Sequence, residues 1–237
     1  MFEFCYYFLD FEQRELYLTL RNCLMRYEKI VPINKMSVDS VNAVIKAVLT
    51  DTPECFFFEG KWRILQKEDN RYIFLCYTVN IAELKQMQRQ LDFSVNNICK
   101  KILNETSNFD KIKYVYKWFL NNVEYGVIGG RGQTAYEALV CKKAVCKGIS
   151  KGMQLILRKL GIFSTLQLGT IDGANKHAWN IVEIDDSYYH LDICMGFDCF
   201  SFLFESAKRF DDFRCFLVSK EQISKTHTLS DTPSSYL

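Results

Sequence analysis

The chain has 237 residues, of which 49% are hydrophobic and 24% charged, with a formal net charge of +2. That length suits one large domain or two small ones, and the composition is that of an ordinary globule with a sizeable core. The charge makes no case for a nucleic acid or an anionic membrane as partner, and no stretch approaches the roughly 18 uninterrupted apolar residues of a spanning helix.

Ten cysteines could suggest a disulfide framework, but they lie scattered among apolar neighbours in a long chain. That pattern reads as buried thiols in a reducing compartment. The apolar start, Met1 to Asp10, has no basic region and carries Glu3, so it does not read as a signal peptide. The expected location is cytoplasmic.

Residues 11–31 carry apolar positions at Leu16, Leu20, Cys23, Leu24 and Tyr27, a helical spacing closed by Pro32. Ser37 is the predicted N-cap of a second helix, which buries Val38, Val41, Val44, Ile45 and Val48 and is broken at Asp51-Thr52-Pro53. Strand-like runs follow at Cys55–Phe58 with Trp62–Leu65, and at Arg71–Val79, with turns at Glu59-Gly60 and Asp69-Asn70. Residues 1–80 therefore form a small N-terminal α+β region.

The region 81–237 is read as a second, larger domain. A long helix runs from Ile81 to about Leu103, and a second from Asp110 to near Val123 with Ile112, Val115, Tyr116 and Phe119 inward. The glycine-rich stretch Gly126–Gly132 is a loop. It lacks the Lys-Ser/Thr pair that a phosphate loop needs. Cys146 then opens a helix whose apolar stripe is Ile149, Met153, Ile156, Leu157 and Leu160, with Gly161 as stop. Strands are predicted at Thr165–Gly169, His177–Ile184, Ser187–Ile193 and Phe213–Val218. An aromatic-rich segment lies at Phe197–Phe204, and a frayed polar tail begins at Ser224.

A thiol at a helix N-terminus lies at the positive end of the macrodipole, which favours the nucleophilic thiolate. Such a thiolate needs a base, and the base an orienting acid. The chain has three histidines, His177, His190 and His227. If Asp185-Asp186 is a two-residue hairpin loop, Ile184 pairs with Ser187 and Asp192 lies opposite Trp179. His177 and Asp192 are then diagonal neighbours on one face, with Cα atoms roughly 7–8 Å apart. His190 shares that face and is the main rival base, and His227 in the polar tail is a weaker one. Taken singly, Cys146 also reads as an inert core thiol, His177 as a structural histidine and Asp192 as a strand-end residue. A Cys₄ zinc site from the pairs Cys141/Cys146 and Cys194/Cys199 is a further reading, disfavoured because Cys146 leads a helix and neither pair has turn glycines.

The stretches Gln133-Thr134-Ala135-Tyr136-Glu137-Ala138-Leu139, Ala144-Val145-Cys146-Lys147-Gly148, Leu160-Gly161-Ile162, Gly169-Thr170, His177-Ala178-Trp179-Asn180-Ile181-Val182, Asp185 to Asp192 and Phe216-Leu217-Val218-Ser219 together resemble the transglutaminase-like superfamily, in particular its bacterial cysteine-hydrolase members. The resemblance runs over about residues 108–228, and the Asp51 to Glu54 stretch and the helix from Ile81 extend it toward the N-terminus. It implies an α+β, papain-like core in which Cys146 is the nucleophile, His177 the base and Asp192 its orienter, with Gln133 as an oxyanion donor beside the Cys146 N–H. The departures are Asp-Asp where the family often has Asp-Gly, Lys147 where Gln or Glu is frequent, and Ile193-Cys194-Met195-Gly196 where Thr or Val and then Trp are common.

The function so implied is thiol-dependent hydrolysis of peptide or isopeptide-like amide bonds through an acyl-enzyme. The alternatives are protein-glutamine acyl transfer and a catalytically silent binding module. The expected partner is a peptide or protein substrate, with no cofactor, no metal, no nucleic acid and no membrane.

Overall fold

The computed structural model describes residues 3–33, 36–102, 107–197 and 215–230. The chain divides into two compact units, Glu3–Arg89 and Gln90–Leu237, and the division falls inside a helix, α3 (Ile81–Ile102). No helix among the described residues is long and apolar enough to cross a membrane.

In the first unit, α1 (Phe11–Met25) starts at a capping box in which Asp10 and Gln13 satisfy each other's backbone N–H. It buries Leu16, Tyr17, Leu20, Cys23 and Leu24. The helix ends well before residue 31, because Tyr27 turns left-handed at φ 57° and Ile30–Ile33 forms strand β1. Pro32 lies within that strand. The sheet order places β1 at an edge, where a residue without an N–H is tolerated. α2 (Val38–Asp51) is capped by Ser37 as expected, but Val38, in the first turn, is exposed. β2 (Trp62–Lys67) and β3 (Asn70–Leu75) form a hairpin turning at Glu68-Asp69, one residue earlier than predicted. Cys55–Phe58 is no strand: its side chains are buried from turns. The apolar run supplies core and no ladder.

In the second unit, Ser107 caps α4 (Asn108–Asn122), which buries Ile112, Val115, Tyr116 and Phe119. Strands β4 (Glu124–Tyr125) and β5 (Lys143–Ala144) pair in parallel on either side of a π-helical turn, Glu137–Cys141. α5 (Cys146–Lys159) follows, with Ile149, Met153, Ile156 and Leu157 fully buried. It gives way at Gly161, whose φ of 79° is left-handed.

The sheet of this unit has the order β8-β7-β6-β9, with β6 Ser164–Ile171, β7 Asn175–Ile184, β8 Ser187–Leu191 and β9 His227–Leu229. The β7–β8 register is the expected one, Ile184 opposite Ser187 and Ile181 opposite His190. Asp185 and Asp186 both take positive φ, 49° and 58°, the requirement of a type I′ hairpin.

β8 stops at Leu191, because Asp192 caps a short 3₁₀ turn, Ile193–Gly196, by accepting the Cys194 N–H. The predicted Phe213–Val218 strand does not form over its described part. Cys215 and Leu217 have positive φ, and a single bridge joins Val218 to His190. The remainder of that run, and the aromatic segment beyond Phe197, lie outside the described residues. The tail from Ser224 was expected to fray, yet it contains β9, which pairs with β6 through Ile171 and His227.

The opening of α5 depends on Gly148. A Cβ there would lie 2.3 Å from the Gly132 carbonyl oxygen and 3.0 Å from that of Thr134. Gly148→Ala is therefore expected to lower stability by about 1–3 kcal/mol, measurable as a shift in the urea midpoint followed by tryptophan fluorescence.

Candidate active site

Cys146 is the first residue of α5, and its N-cap, Val145, contributes no side-chain acceptor. No N-cap side chain therefore competes with the sulfur for the positive end of the helix. The Val145 N–H donates to Gly132 O at 3.0 Å, which draws the Gly132–Thr134 segment across the first turn. Glu137 holds that segment from the other side, accepting both the Thr134 N–H at 3.0 Å and the Thr134 hydroxyl. Gln133, between these anchors, is exposed on the wall of a cavity it shares with Cys146.

One turn further in, α5 is pinned to β7. The Ser150 hydroxyl donates to Ala178 O at 3.1 Å, and the Asn180 amide donates to Ser150 O at 3.0 Å. This lock sets the height of Cys146 against His177. Nε2 of His177 lies 2.7 Å from Asp192 Oδ2, with both side chains almost wholly buried. The other ring nitrogen, Nδ1, is left for the sulfur, and His177 and Cys146 are hydrogen-bonded side chain to side chain. The Ala178 N–H also donates to the sulfur.

The electrostatics follow from these contacts. Burial pushes the Cys146 thiol up, but the hydrogen bond and positive charge of His177 outweigh it and hold the thiol below its ordinary value. Burial pulls His177 down, yet the Asp192 carboxylate and the Cys146 sulfur together raise it to about 10. Burial pushes Asp192 up, and its imidazole neighbours bring it well below the ordinary carboxylate range. Where the two groups share one proton, it therefore rests on His177, and the thiolate–imidazolium pair is favoured over thiol and neutral imidazole.

The structure separates the three histidines. His190, the expected rival base, is turned to Trp179, whose indole N–H donates to its Nδ1 at 2.9 Å. Burial, and then its electrostatic interaction with His227 and Lys220, lower it to about 4, so it stays neutral. His227 comes to the site from β9: its Nε2 lies 3.0 Å from Asp192 Oδ2. Asp192 therefore accepts from two imidazoles on one oxygen and from the Cys194 N–H, at 2.9 Å, on the other. The Trp179 ring lies against both, stacked on His177 and edge-on to His227.

Sequence reasoning underweighted His227 because it sits in a polar stretch. The usable signal was scarcity, together with the short alternation His227-Thr228-Leu229. Tyr125 was missed outright. Its phenol is hydrogen-bonded to Cys146, accepting the backbone N–H and meeting the sulfur, and burial with the nearby thiols raises its pKa, keeping it protonated. It reaches the site because β4 pairs with β5, Tyr125 opposite Ala144.

The cavity measures about 520 Å³ and is lined by Gln133, Cys146, Lys147, Lys176, His177 and Thr228 among others. His177, Asp192 and His227 also offer ligand atoms within 4.8 Å of one another. Their separations of 2.7 Å and 3.0 Å are those of shared protons on a carboxylate. Of the cysteines weighed as zinc ligands, Cys141 is exposed and Cys194 buried, and Cys199 lies outside the described residues.

Residues 96–193 match the family model described as the transglutaminase-like superfamily. That span holds Gln133, Cys146, His177 and Asp192 and ends before His227. Among solved structures, a TGase is similar at 12% identity over 83% of this chain and 64% of its own, with a TM-score of 0.43. A candidate cysteine protease from Cytophaga hutchinsonii is similar at 16% identity over 56% of this chain and 61% of its own, with a TM-score of 0.39. A candidate protease from Parabacteroides distasonis is similar at 11% identity over 55% of this chain and 35% of its own, with a TM-score of 0.35. The chain spans less than two thirds of the length of each of these proteins. No curated protein matches it.

The ion pair sets a sign that alkylation can read. At about pH 6 an ordinary cysteine is almost wholly thiol, whereas Cys146 should react with iodoacetamide at least about tenfold faster than the other cysteines. In His177→Ala, Cys146 loses the partner that lowers it while burial still raises it. Its reactivity should then rise only above the ordinary thiol range, as mapped by peptide mass spectrometry across pH.

Proposed function

This chain belongs to the transglutaminase-like superfamily through residues 96–193, and on that premise we propose that it is a thiol hydrolase of peptide or isopeptide-like amide bonds, working through Cys146, His177 and Asp192. The observation that carries the reading is the sulfur's place. It lies at a helix N-terminus whose N-cap residue offers no side-chain acceptor, hydrogen-bonded to His177 on the wall of the cavity, with the buried Asp192 behind the imidazole.

In this mechanism the thiolate attacks the carbonyl carbon of an amide seated in the cavity. The C–O π electrons move to oxygen, and the Cys146 N–H and the Gln133 amide stabilise the developing oxyanion. That N–H is donated to the Tyr125 phenol in this structure, so the substrate oxygen takes the position of the phenol oxygen. Collapse of the adduct breaks the C–N bond, and His177 gives its Nδ1 proton to the departing amine. The thioester left on Cys146 is then attacked by water, whose proton passes to His177. Expulsion of the thiolate releases the acid and restores the ion pair. Throughout, Asp192 holds the imidazole in the orientation that presents Nδ1 to the sulfur. A primary amine in place of water would complete acyl transfer from the same thioester.

The test uses a mixture of casein-derived peptides and a γ-glutamyl-lysine isopeptide as probes, with and without a primary amine. The expected outcome is a Cys146-linked acyl adduct in intact-mass spectra of quenched reactions. Turnover should fall at least about a thousandfold in Cys146→Ala. Cleavage that persists in Cys146→Ala would overturn the reading, and a product carrying the amine would assign transfer in place of hydrolysis. Gln133→Ala should lower kcat by about a hundredfold with KM little changed.

A further inference from the structure

We propose that His227 is a positioning residue of the thiol site, a second imidazole that bonds the same oxygen of the Asp192 carboxylate as His177 does and weakens its hold on His177. The inference rests on the reading of Cys146, His177 and Asp192 given above. It concerns a residue that lies beyond the span matching the family.

The geometry is specific. Oδ1 of Asp192 is occupied by the Cys194 N–H at 2.9 Å. Oδ2 takes His177 Nε2 at 2.7 Å and His227 Nε2 at 3.0 Å, and the side chains of His227 and Asp192 are fully buried. An ionised carboxylate is acceptor only, so His227 must carry its proton on Nε2. The Nδ1 of a neutral His227 is then an acceptor, and the Thr226 hydroxyl lies 2.8 Å from it. If the ring gains a second proton, Nδ1–H donates to the same hydroxyl oxygen, whose hydrogen can turn to Ile223 O at 3.4 Å. The pocket thus accepts either charge state of His227 while keeping its donor on Asp192.

The backbone is arranged to bring this ring in. β9 reaches the site by pairing with β6, Ile171 opposite His227 and Gly169 opposite Leu229. A Cβ at Gly169 would lie 2.2 Å from Thr228 O and 2.7 Å from the Trp179 ring, so the approach requires glycine. The same indole meets the His227 ring edge-on at 4.8 Å.

Two donors on one oxygen compete. Each withdraws charge from the lone pairs the other uses, so the His227 bond makes Asp192 a weaker acceptor toward His177. Removing the His227 donor while keeping its bulk should tighten the Asp192–His177 bond and make the imidazolium harder to deprotonate. Among the described residues, the titratable and charged groups around the cluster include Cys146 on α5, Tyr116 on α4, Tyr125 on β4, Lys176 on β7, His190 on β8 with Lys220 and Glu221 near it, and Cys194 and Cys215 beside Asp192. None of them is altered by the substitutions used below.

With three histidines in the chain, labelling histidine with ¹³C at Cε1 gives a spectrum that single substitutions assign. Wild type, His227→Leu, His227→Asn and His227→Gln would be titrated by NMR, and Cys146 alkylation followed in parallel. The expected result is a His177 midpoint raised by about half a pH unit or more in His227→Leu. His227→Gln, whose amide nitrogen reaches the place of Nε2, should return it toward wild type. Should the leucine variant fail to fold, His227→Asn, whose amide falls short of Asp192, takes its place against His227→Gln. A His177 midpoint unmoved in a folded leucine or asparagine variant, with wild-type Cys146 still selectively alkylated, would overturn this inference alone. A wild-type His177 that titrates near the ordinary 6.5, with Cys146 no more reactive than its neighbours, would overturn the underlying reading as well.

Discussion

The site is arranged around one buried carboxylate. Burying an unpaired charge costs several kcal/mol, and Asp192 is entirely enclosed. It stays ionised because donors from separate parts of the chain converge on it: His177 from β7, His227 from β9, and the Cys194 N–H of the turn that follows. The end of β8 is set by the same requirement. The strand must stop at Leu191 so that Asp192 can cap the 3₁₀ turn with one oxygen and offer the other to the imidazoles. The carboxylate also fixes the edge of the sheet, since β9 is held against β6 where its histidine finds an acceptor.

From Asp192 the effect passes outward to the sulfur. Burial alone would keep Cys146 a thiol and His177 neutral. The carboxylate reverses the sign at His177, and the imidazolium reverses it at Cys146. The helix terminus and the Ala178 N–H act in the same direction, but they are dipoles. A full charge in hydrogen-bond contact is the larger effect in a poorly screened interior. Position matters as much as charge, and it is supplied by the Ser150–Ala178–Asn180 lock and by the passage of the Gly132–Thr134 segment over Gly148.

Much of this was legible in the sequence because it rests on local periodicities. A two-residue loop with strict alternation on both sides determines which residues share a face, so the pairing of His177 with Asp192 follows from counting. The helix of Cys146 follows from its apolar stripe and its glycine stop. Pattern reading failed where tertiary contact overrides local signal. Pro32 looked like a terminator, yet an edge strand accommodates it. Cys55–Phe58 looked like a strand, yet its rings are buried from turns. β9 is too short and too polar to announce itself. It exists because Gly169 leaves room for its backbone, and because Trp179 and Asp192 receive His227. Tyr125 carries no periodic signal, since its role depends on a two-residue parallel bridge closing around a π-helical turn.

The buried cluster also bears on the choice between an enzyme and a silent binding module. Histidines and a carboxylate enclosed with a tryptophan are a poor device for stability, because well-packed apolar side chains of similar volume would do as well without the desolvation cost. A fold kept only as a scaffold gains nothing from holding a charged carboxylate behind an imidazole that faces a thiol on a cavity wall. The arrangement makes sense when the charge is used. In the proposed reaction it would let a proton move between sulfur, imidazole and a departing amine without any buried group being stranded in the wrong state. On that proposal Asp192 would keep its charge while His177 gives up and regains its proton, and a second imidazole on the same oxygen would keep the carboxylate partnered at each stage. The physical cost of the cluster is therefore an argument for turnover, and it places the most informative perturbations at the carboxylate's partners as well as at the nucleophile.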